Sequence, residues 1–254
     1  MDESSDVFSL TGKRILITGA SSGIGRQTAI ACADMGAQVL ISGRNAKRLA
    51  ETLSMLEGKG HQSFVADLTQ AEDLAALVAS TGTLHGVVHA AGISKLVPLR
   101  MVTQAHLEET LSTNTLAPIM LTKTLVAKKR IATGGSIVFV SALASHTGAM
   151  ASTAYAASKG AIMSATRVAA RELAKSGIRA NCISPGFVRT PLLEGLTERG
   201  AQLSALIDIA PLGIGEPEDV ANATVFFLSE ASRWISNTHF IVDGGLTTSM
   251  DIFA

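Results

Sequence analysis

The sequence predicts an α/β fold, one doubly wound parallel sheet with helices on both faces, forming a single domain over 1–254. Three observations predict it. Short apolar runs alternate with longer stretches of helical periodicity along the chain. With 254 residues, 47% of them hydrophobic, the chain can bury one sizeable core. No repeat, low-complexity tract or Pro/Ser linker divides it.

In order, strands are expected over 14–18, 38–41, 63–66, 86–90, 136–141, 180–184 and 239–242. Ile15-Leu16-Ile17, Val39-Leu40-Ile41 and Ile137-Val138-Phe139-Val140 are continuously apolar, as strands covered on both faces must be. Helices are expected over 23–35, 46–57, 71–80, 104–130, 153–175 and 217–228. The long irregular segment 185–215 exceeds an ordinary connector and is expected to be a lid or substrate loop.

Lys plus Arg number 21 and Asp plus Glu 21, so nothing in the charge balance points to nucleic acid or an anionic membrane as partner. The acidic start, 1–6, does not resemble a secretory signal, and no apolar run is long enough to cross a bilayer. Cys32 and Cys182 lack CxxC spacing and read as small buried hydrophobes, which suits a reducing cytoplasm.

The first strand runs into Thr18-Gly19-Ala20-Ser21-Ser22-Gly23-Ile24-Gly25 and then a helix. Glycines there allow a tight turn and close backbone approach to a pyrophosphate, which the helix N-terminus attracts. The spacing is GxxxGxG rather than GxGxxG. The second strand ends in Ser42-Gly43-Arg44-Asn45, followed by Lys47 and Arg48. No acid stands there to hold a ribose 2′-hydroxyl, whereas Arg44 can pair with a 2′-phosphate, which favours NADP(H) over NAD(H). Arg44 and Arg48 can equally be solvated at a helix start. Asp67 can accept from an adenine amino group or cap the helix that follows.

Tyr155 is the sole tyrosine, and Lys159 lies one helical turn on, so phenol and ammonium share a face. A nearby cation lowers a phenol's pKa, which makes Tyr155 a candidate proton donor with Lys159 as its tuner. Ser141 ends a strand fourteen residues earlier and is placed to hydrogen-bond a substrate carbonyl, or is a strand-end turn former. Pro118 has no N–H for the carbonyl of Asn114, so a kink is expected there. The freed carbonyl is a candidate holder of a water linking Lys159 to solvent.

In combination, TGASSGIG at 18–25, Asp67-Leu68, Ala91-Gly92, Asn114, Ser141, Tyr155 with Lys159, Pro185-Gly186 and Val242-Asp243-Gly244-Gly245 resemble the compact single-domain branch of the short-chain dehydrogenase/reductase family, with similarity to 3-oxoacyl carrier-protein reductases. The resemblance covers nearly the whole chain in order. It implies a Rossmann-type fold, a nicotinamide cofactor and an Asn114, Ser141, Tyr155, Lys159 active site. Cofactor contacts are then expected from Gly19, Ser21, Ser22, Gly23, Ile24 and Gly25 at one end. Arg44, Asp67, Leu68, Ala91 and Gly92 continue them, and Tyr155, Lys159, Pro185, Gly186, Val188 and Thr190 lie toward the nicotinamide, Thr190 on its carboxamide and Lys159 on its ribose. Two departures stand out. The family's Asn-Asn-Ala-Gly reads His89-Ala90-Ala91-Gly92, and a glycine common before the last strand is replaced near Ser236-Asn237.

His85 and His89, four apart on a strand, stand about 13 Å apart, too far to share a metal, and no metal site is expected. His146 either faces substrate or is solvated. Lys128, Lys129, Arg130 and Arg171 either bind an acidic acyl carrier, as arginines so placed do in related reductases, or stabilise helix ends. Phe187, Val188, Leu192 and Leu193, with Ser94, Leu143 and Met150 from other loops, offer a mostly apolar substrate wall. Small residues Ala161, Ala165, Ala169 and Ala170 permit close helix packing, and the family's tetramer uses such helices; burial within one subunit explains them equally well. The favoured function is an NADPH-dependent carbonyl reductase. An alcohol or sugar dehydrogenase is the alternative within the enzyme class, and a noncatalytic dinucleotide sensor the alternative outside it.

Overall fold

The computed structural model describes residues 6–197 and 211–248. Among the described residues seven parallel strands form one sheet in the order β3-β2-β1-β4-β5-β6-β7. They are β1 Arg14–Thr18, β2 Gln38–Gly43, β3 Gln62–Val65, β4 Leu84–His89, β5 Ile131–Val140, β6 Arg179–Pro185 and β7 His239–Val242. The helices are α1 Gly23–Asp34, α2 Ala46–Ser54, α3 Ala71–Ser80, α4 Gln104–Leu111, α5 Ala117–Ala127, α6 Thr153–Leu173, α7 Pro191–Thr197 and α8 Pro217–Leu228. α7 lies inside the expected loop, of which 198–210 falls outside the described residues.

Period-two alternation divides the strands between two cores. Ile15, Ile17, Val39, Ile41, Val138 and Val140 face one cluster, under α1 and α8. Leu16, Leu40, Ile137 and Phe139 face the other, packed by Leu77 of α3, Leu121 and Leu125 of α5 and Ile162 of α6. Phe139 is 1% exposed, and its truncation to Ala costs about 3–5 kcal/mol.

Chain order reverses between β1 and β4, so the loops leaving the strands' C-terminal ends part there and open a crevice. Backbone geometry holds its floor. Gly19 has φ +70, and a Cβ on it would stand 2.6 Å from the backbone of Ala91. A Cβ on Gly25 would stand 2.4 Å from the Gly19 carbonyl, so α1 packs on the turn only with glycine there.

The expected 104–130 helix is interrupted rather than bent. Ser112–Leu116 winds as a π-helical turn between α4 and α5, with Pro118 in the first turn of α5. A wider turn accommodates the missing Pro118 amide without ending the helix. At the departure before β7, Asn237 has φ +66 and takes the left-handed conformation that glycine ordinarily supplies.

Candidate active site

The crevice has two adjoining parts. The first is lined by the turn after β1, by Arg44, Asp67 and Leu68, and by Ala91 and Gly92. The second, about 510 Å³, is lined by Tyr155, Lys159, Pro185, Gly186, Val188 and Ser141 with largely apolar neighbours. Ile24, Ala90, Gly92, Thr190 and Leu192 border both, so every expected cofactor-contacting residue lines one continuous cleft.

A dinucleotide fits the residues of the first part. The N-cap Ser22 makes no side-chain capping bond and no acid stands in the first turn of α1. The helix therefore presents unpaired amides and its positive end to the cleft, which suits pyrophosphate. The Ala20 and Ser21 carbonyls are held from behind. Arg26 donates through Nη2 to Ser21 O (2.8 Å) and through Nε to Thr52 Oγ1 (3.0 Å), and Thr52 donates to Ala20 O (2.9 Å). This clamp ties the glycine turn to α2 and carries no motif that sequence alone reveals.

Asp67 Oδ1 accepts from the amide and hydroxyl of Thr69, at 3.0 and 2.8 Å. Burial raises its pKa, but the Thr69 bonds and the charge of Arg44 outweigh that and hold the carboxyl below its usual range. Asp67 thus closes a turn with Thr69 and does not cap α3, whose N-cap is Gln70. Thr190 Oγ1 bonds Val188 O at 3.2 Å and accepts from Leu193 N, capping α7.

Tyr155 and Lys159 meet on the first turns of α6, with Lys159 Nζ 5.9 Å from the phenol ring centroid. Lys159 is 4% exposed and donates to Val140 O at 2.7 Å. Its burial pushes its pKa down to about 8, against a smaller upward effect of Cys182. The expected lowering of the phenol's pKa is not found: burial pushes Tyr155 up to about 12. Desolvation disfavours both charged forms, and here it exceeds the pull of an ammonium committed to a carbonyl.

Asn114 is 1% exposed and sits in the π-turn. Its amide clasps Ile93, accepting from Ile93 N (2.8 Å) and donating to Ile93 O (2.9 Å), and also donates to Ser158 Oγ (3.0 Å). Ser158 in turn donates to Tyr155 O. Asn114 thereby joins the loop after β4 to the turn that carries Tyr155. A Cβ on Gly92 would stand 3.3 Å from Lys159 Nζ and 3.4 Å from Asn114 Oδ1, so the three converge.

Ser141 departs from expectation. Its hydroxyl is 3.0 Å from Lys159 O and 3.1 Å from Ser145 Oγ, so it is engaged with α6 and the loop after β5 although Ser141 borders the cavity. Alternation along the extended chain is the reason. Phe139 faces the α6 core, Val140 the opposite one, and Ser141 the α6 side again. Ala142, extended at φ −162, ψ 154, follows and lines the cavity.

His146 is exposed and shares a 2.9 Å bond with Ser184 Oγ, away from the cavity. His89 is buried, stacked on Phe139 at 4.7 Å and bonded to Thr122 Oγ1 at 2.8 Å, while His85 accepts from Arg14 N. Among the described residues no group of three or more His, Cys, Asp or Glu is placed to hold a metal, and no helix is long and apolar enough to cross a membrane. Cys32 and Cys182 are free and buried.

Residues 19–247 match the family described as enoyl-(acyl carrier protein) reductase. The chain is a short-chain dehydrogenase/reductase. The family's members bind NAD(P) and interconvert alcohols and carbonyls, and this chain is such an oxidoreductase. It is 33% identical to a (3R)-3-hydroxyacyl-CoA dehydrogenase of Canis lupus familiaris, over 91% of this chain and 95% of that one. It is 34% identical to a 3-oxoacyl-[acyl-carrier-protein] reductase of Thermotoga maritima, over 93% and 98%. A crystal structure from Beutenbergia cavernae, described as an NAD(P)-dependent gluconate 5-dehydrogenase with NADP at low occupancy, superposes with TM-score 0.87 at 32% identity, covering 96% of this chain and all of that one.

Proposed function

We propose that this short-chain dehydrogenase/reductase is an NADPH-preferring reductase of apolar carbonyl compounds, with 3-oxoacyl thioesters the favoured class. The observation that carries the substrate class is the cavity beside Tyr155. Leu143, Phe187 and Leu246 pack together in its wall, and Leu96, Met150 and Leu193 extend it. Lys159 is the sole cationic side chain among its described lining residues. A sugar acid would bring a carboxylate with no cation among the described lining residues except Lys159, which is committed to Val140 O, whereas an acyl chain gains about 25 cal/mol per Å² of apolar surface buried. The cofactor preference is supported by exposed Arg44 and Arg48 lining the far end of the cleft, with Asp67 committed to its own turn.

In the proposed reaction the bound nicotinamide supplies the hydride. Tyr155, whose phenol is protonated at neutral pH, donates the proton to the carbonyl oxygen. Lys159, fixed on Val140 O, keeps a positive charge beside that phenol and favours its deprotonated form as the proton leaves. The Asn114 carbonyl, to which Pro118 offers no amide, is proposed to hold the water that links Lys159 to solvent.

The cations 128–130 end α5 and lead into the start of β5, opposite the strand ends that carry the site. Arg171 lies sixteen residues after Tyr155 on α6, about 24 Å along its axis. Both positions favour helix-end stabilisation over capture of a carrier at the cavity mouth. A homotetramer is proposed through α5 and α6, where Met120 and Val168 are 47% and 56% exposed, and through the edge strand β7, where Phe240 is 45% exposed. Light scattering at micromolar concentration tests it; a monomer there would refute the arrangement.

The deciding experiment measures kcat/KM for 3-oxoacyl thioesters of increasing chain length, apolar ketones and keto-sugar acids with NADPH and NADH. Rising efficiency with chain length and preference for NADPH are expected. Preference for sugar acids would refute the substrate class, and preference for NADH the role given to Arg44.

A further inference from the structure

An oxygen that gains negative charge as its carbon is reduced needs fixed donors aimed at it, and one preorganised donor contributes about 10²–10³-fold in rate. Tyr155 is one donor. The position of Ser141 leaves open which group supplies a second.

The hydroxyls lining the cavity can be accounted for individually. Ser141 is 2% exposed, with Lys159 O and Ser145 Oγ as partners. Ser145 directs its own proton to Ala142 O at 2.6 Å, which leaves the Ser141 proton for the other two contacts. Ser152 donates to Ala149 O at 2.7 Å, Thr147 bonds Leu143 O at 3.4 Å, and Thr190 bonds Val188 O at 3.2 Å. Ser94 lines the same cavity and its hydroxyl makes no hydrogen bond among the described residues.

Ser94 is nevertheless held in place. Ile93 before it is clasped at both N–H and C=O by the Asn114 amide. Lys95 after it bonds both carboxylate oxygens of Glu109 on α4, at 2.7 and 2.6 Å. Asn114 is tied through Ser158 to Tyr155 O, so the backbone that presents Ser94 is fixed relative to the turn that presents the phenol. A free donor next to a backbone clasped by Asn114 is what preorganised stabilisation requires, with the exposed Lys95 pair adding little.

We infer that Ser94 is a catalytic residue whose hydroxyl donates a hydrogen bond to the substrate oxygen alongside Tyr155, with Ser141 a positioning residue for the Lys159 turn. Ser94 keeps its proton throughout; the proton transferred is that of the phenol. This rests on the carbonyl-reductase reading given above.

The test compares the wild type with Ser94→Ala, Ser94→Thr, Ser141→Ala and Tyr155→Phe, using a 3-oxoacyl thioester with NADPH and a separate titration of NADPH binding by its fluorescence. Ser94→Ala is expected to lower kcat by about 10²-fold with NADPH affinity unchanged. Ser94→Thr, which keeps the hydroxyl, is expected to retain most of the rate, and Ser141→Ala to cost less than Ser94→Ala. Tyr155-dependent turnover that survives Ser94→Ala, or a larger loss from Ser141→Ala, overturns the inference alone. Turnover indifferent to Tyr155→Phe overturns the reductase reading itself.

Discussion

The two halves of the cleft are built from different materials. The cofactor half is mostly backbone: the turn at Gly19 and Gly25, the uncapped start of α1, and carbonyls braced by Arg26 and Thr52. The substrate half is mostly side chains, brought from the loops after β4, β5, β6 and β7 as Leu96, Leu143, Phe187 and Leu246. Backbone geometry tolerates few residue types, whereas an apolar wall accepts many of suitable volume. The first half therefore fixes what every cofactor shares, and the second leaves substrate choice adjustable.

The largest effect falls where the halves meet. Tyr155→Phe is expected to lower kcat for carbonyl reduction by about 10²–10⁴-fold, with NADPH affinity unchanged, since it removes the proton donor and keeps the ring. Steady-state kinetics with a fluorescence titration of NADPH checks this. A fully active variant would mean that the two halves do not join at the phenol.

Next comes a crossed pair. Arg44→Ala is expected to raise KM for NADPH by roughly 10- to 100-fold, the worth of a charge-assisted contact, and to leave NADH and the substrate untouched. Phe187→Ala is expected to do the reverse, weakening long-chain thioesters by about tenfold while both cofactors keep their KM. Any spill of either effect into the other half would show that the division is not a functional one.

How much of this was legible follows the same division. The strand runs, the glycine turn, Tyr155 with Lys159 and the Pro118 irregularity all depend on near neighbours in sequence, and their positions could be expected from it. Strand ends fall within two residues of expectation except that β5 begins at Ile131, five residues before the expected 136. Three features depended on contacts made only after folding. The Ser141 hydroxyl engaged Lys159 O of α6 because extended chain alternates sides. Burial exceeded the cation in setting the Tyr155 pKa. The Arg26 clamp joins residues from α1 and α2 that no local pattern links.

That clamp gives a subtler test of the backbone-built half. Arg26→Met keeps the aliphatic stem and removes the donors to Ser21 O and Thr52 Oγ1. Both NADPH and NADH are expected to weaken by roughly fivefold, equally, because the pyrophosphate turn loosens and the 2′-phosphate end does not. Isothermal titration with each cofactor measures it, and selective loss of NADPH would place Arg26 on the phosphate instead.

The smallest effect concerns the boundary beneath the cofactor half, at the family departure His89. Burial pushes its pKa down to about 3 from an ordinary 6.5, and it stays neutral against Phe139 and Thr122. Between those two pH values the unfolded chain binds a proton that the native protein refuses. Stability is therefore lost as pH falls below about 6.5, at up to about 1.4 kcal/mol per pH unit from this residue. Urea unfolding at pH 7 and pH 5 of the wild type and of His89→Asn, the residue common in the family, measures the difference. The wild type is expected to lose about 2 kcal/mol more than the variant over that interval. Equal losses would mean that the imidazole gains a proton in place, and that the wall between β4 and α5 is wetter than its packing implies.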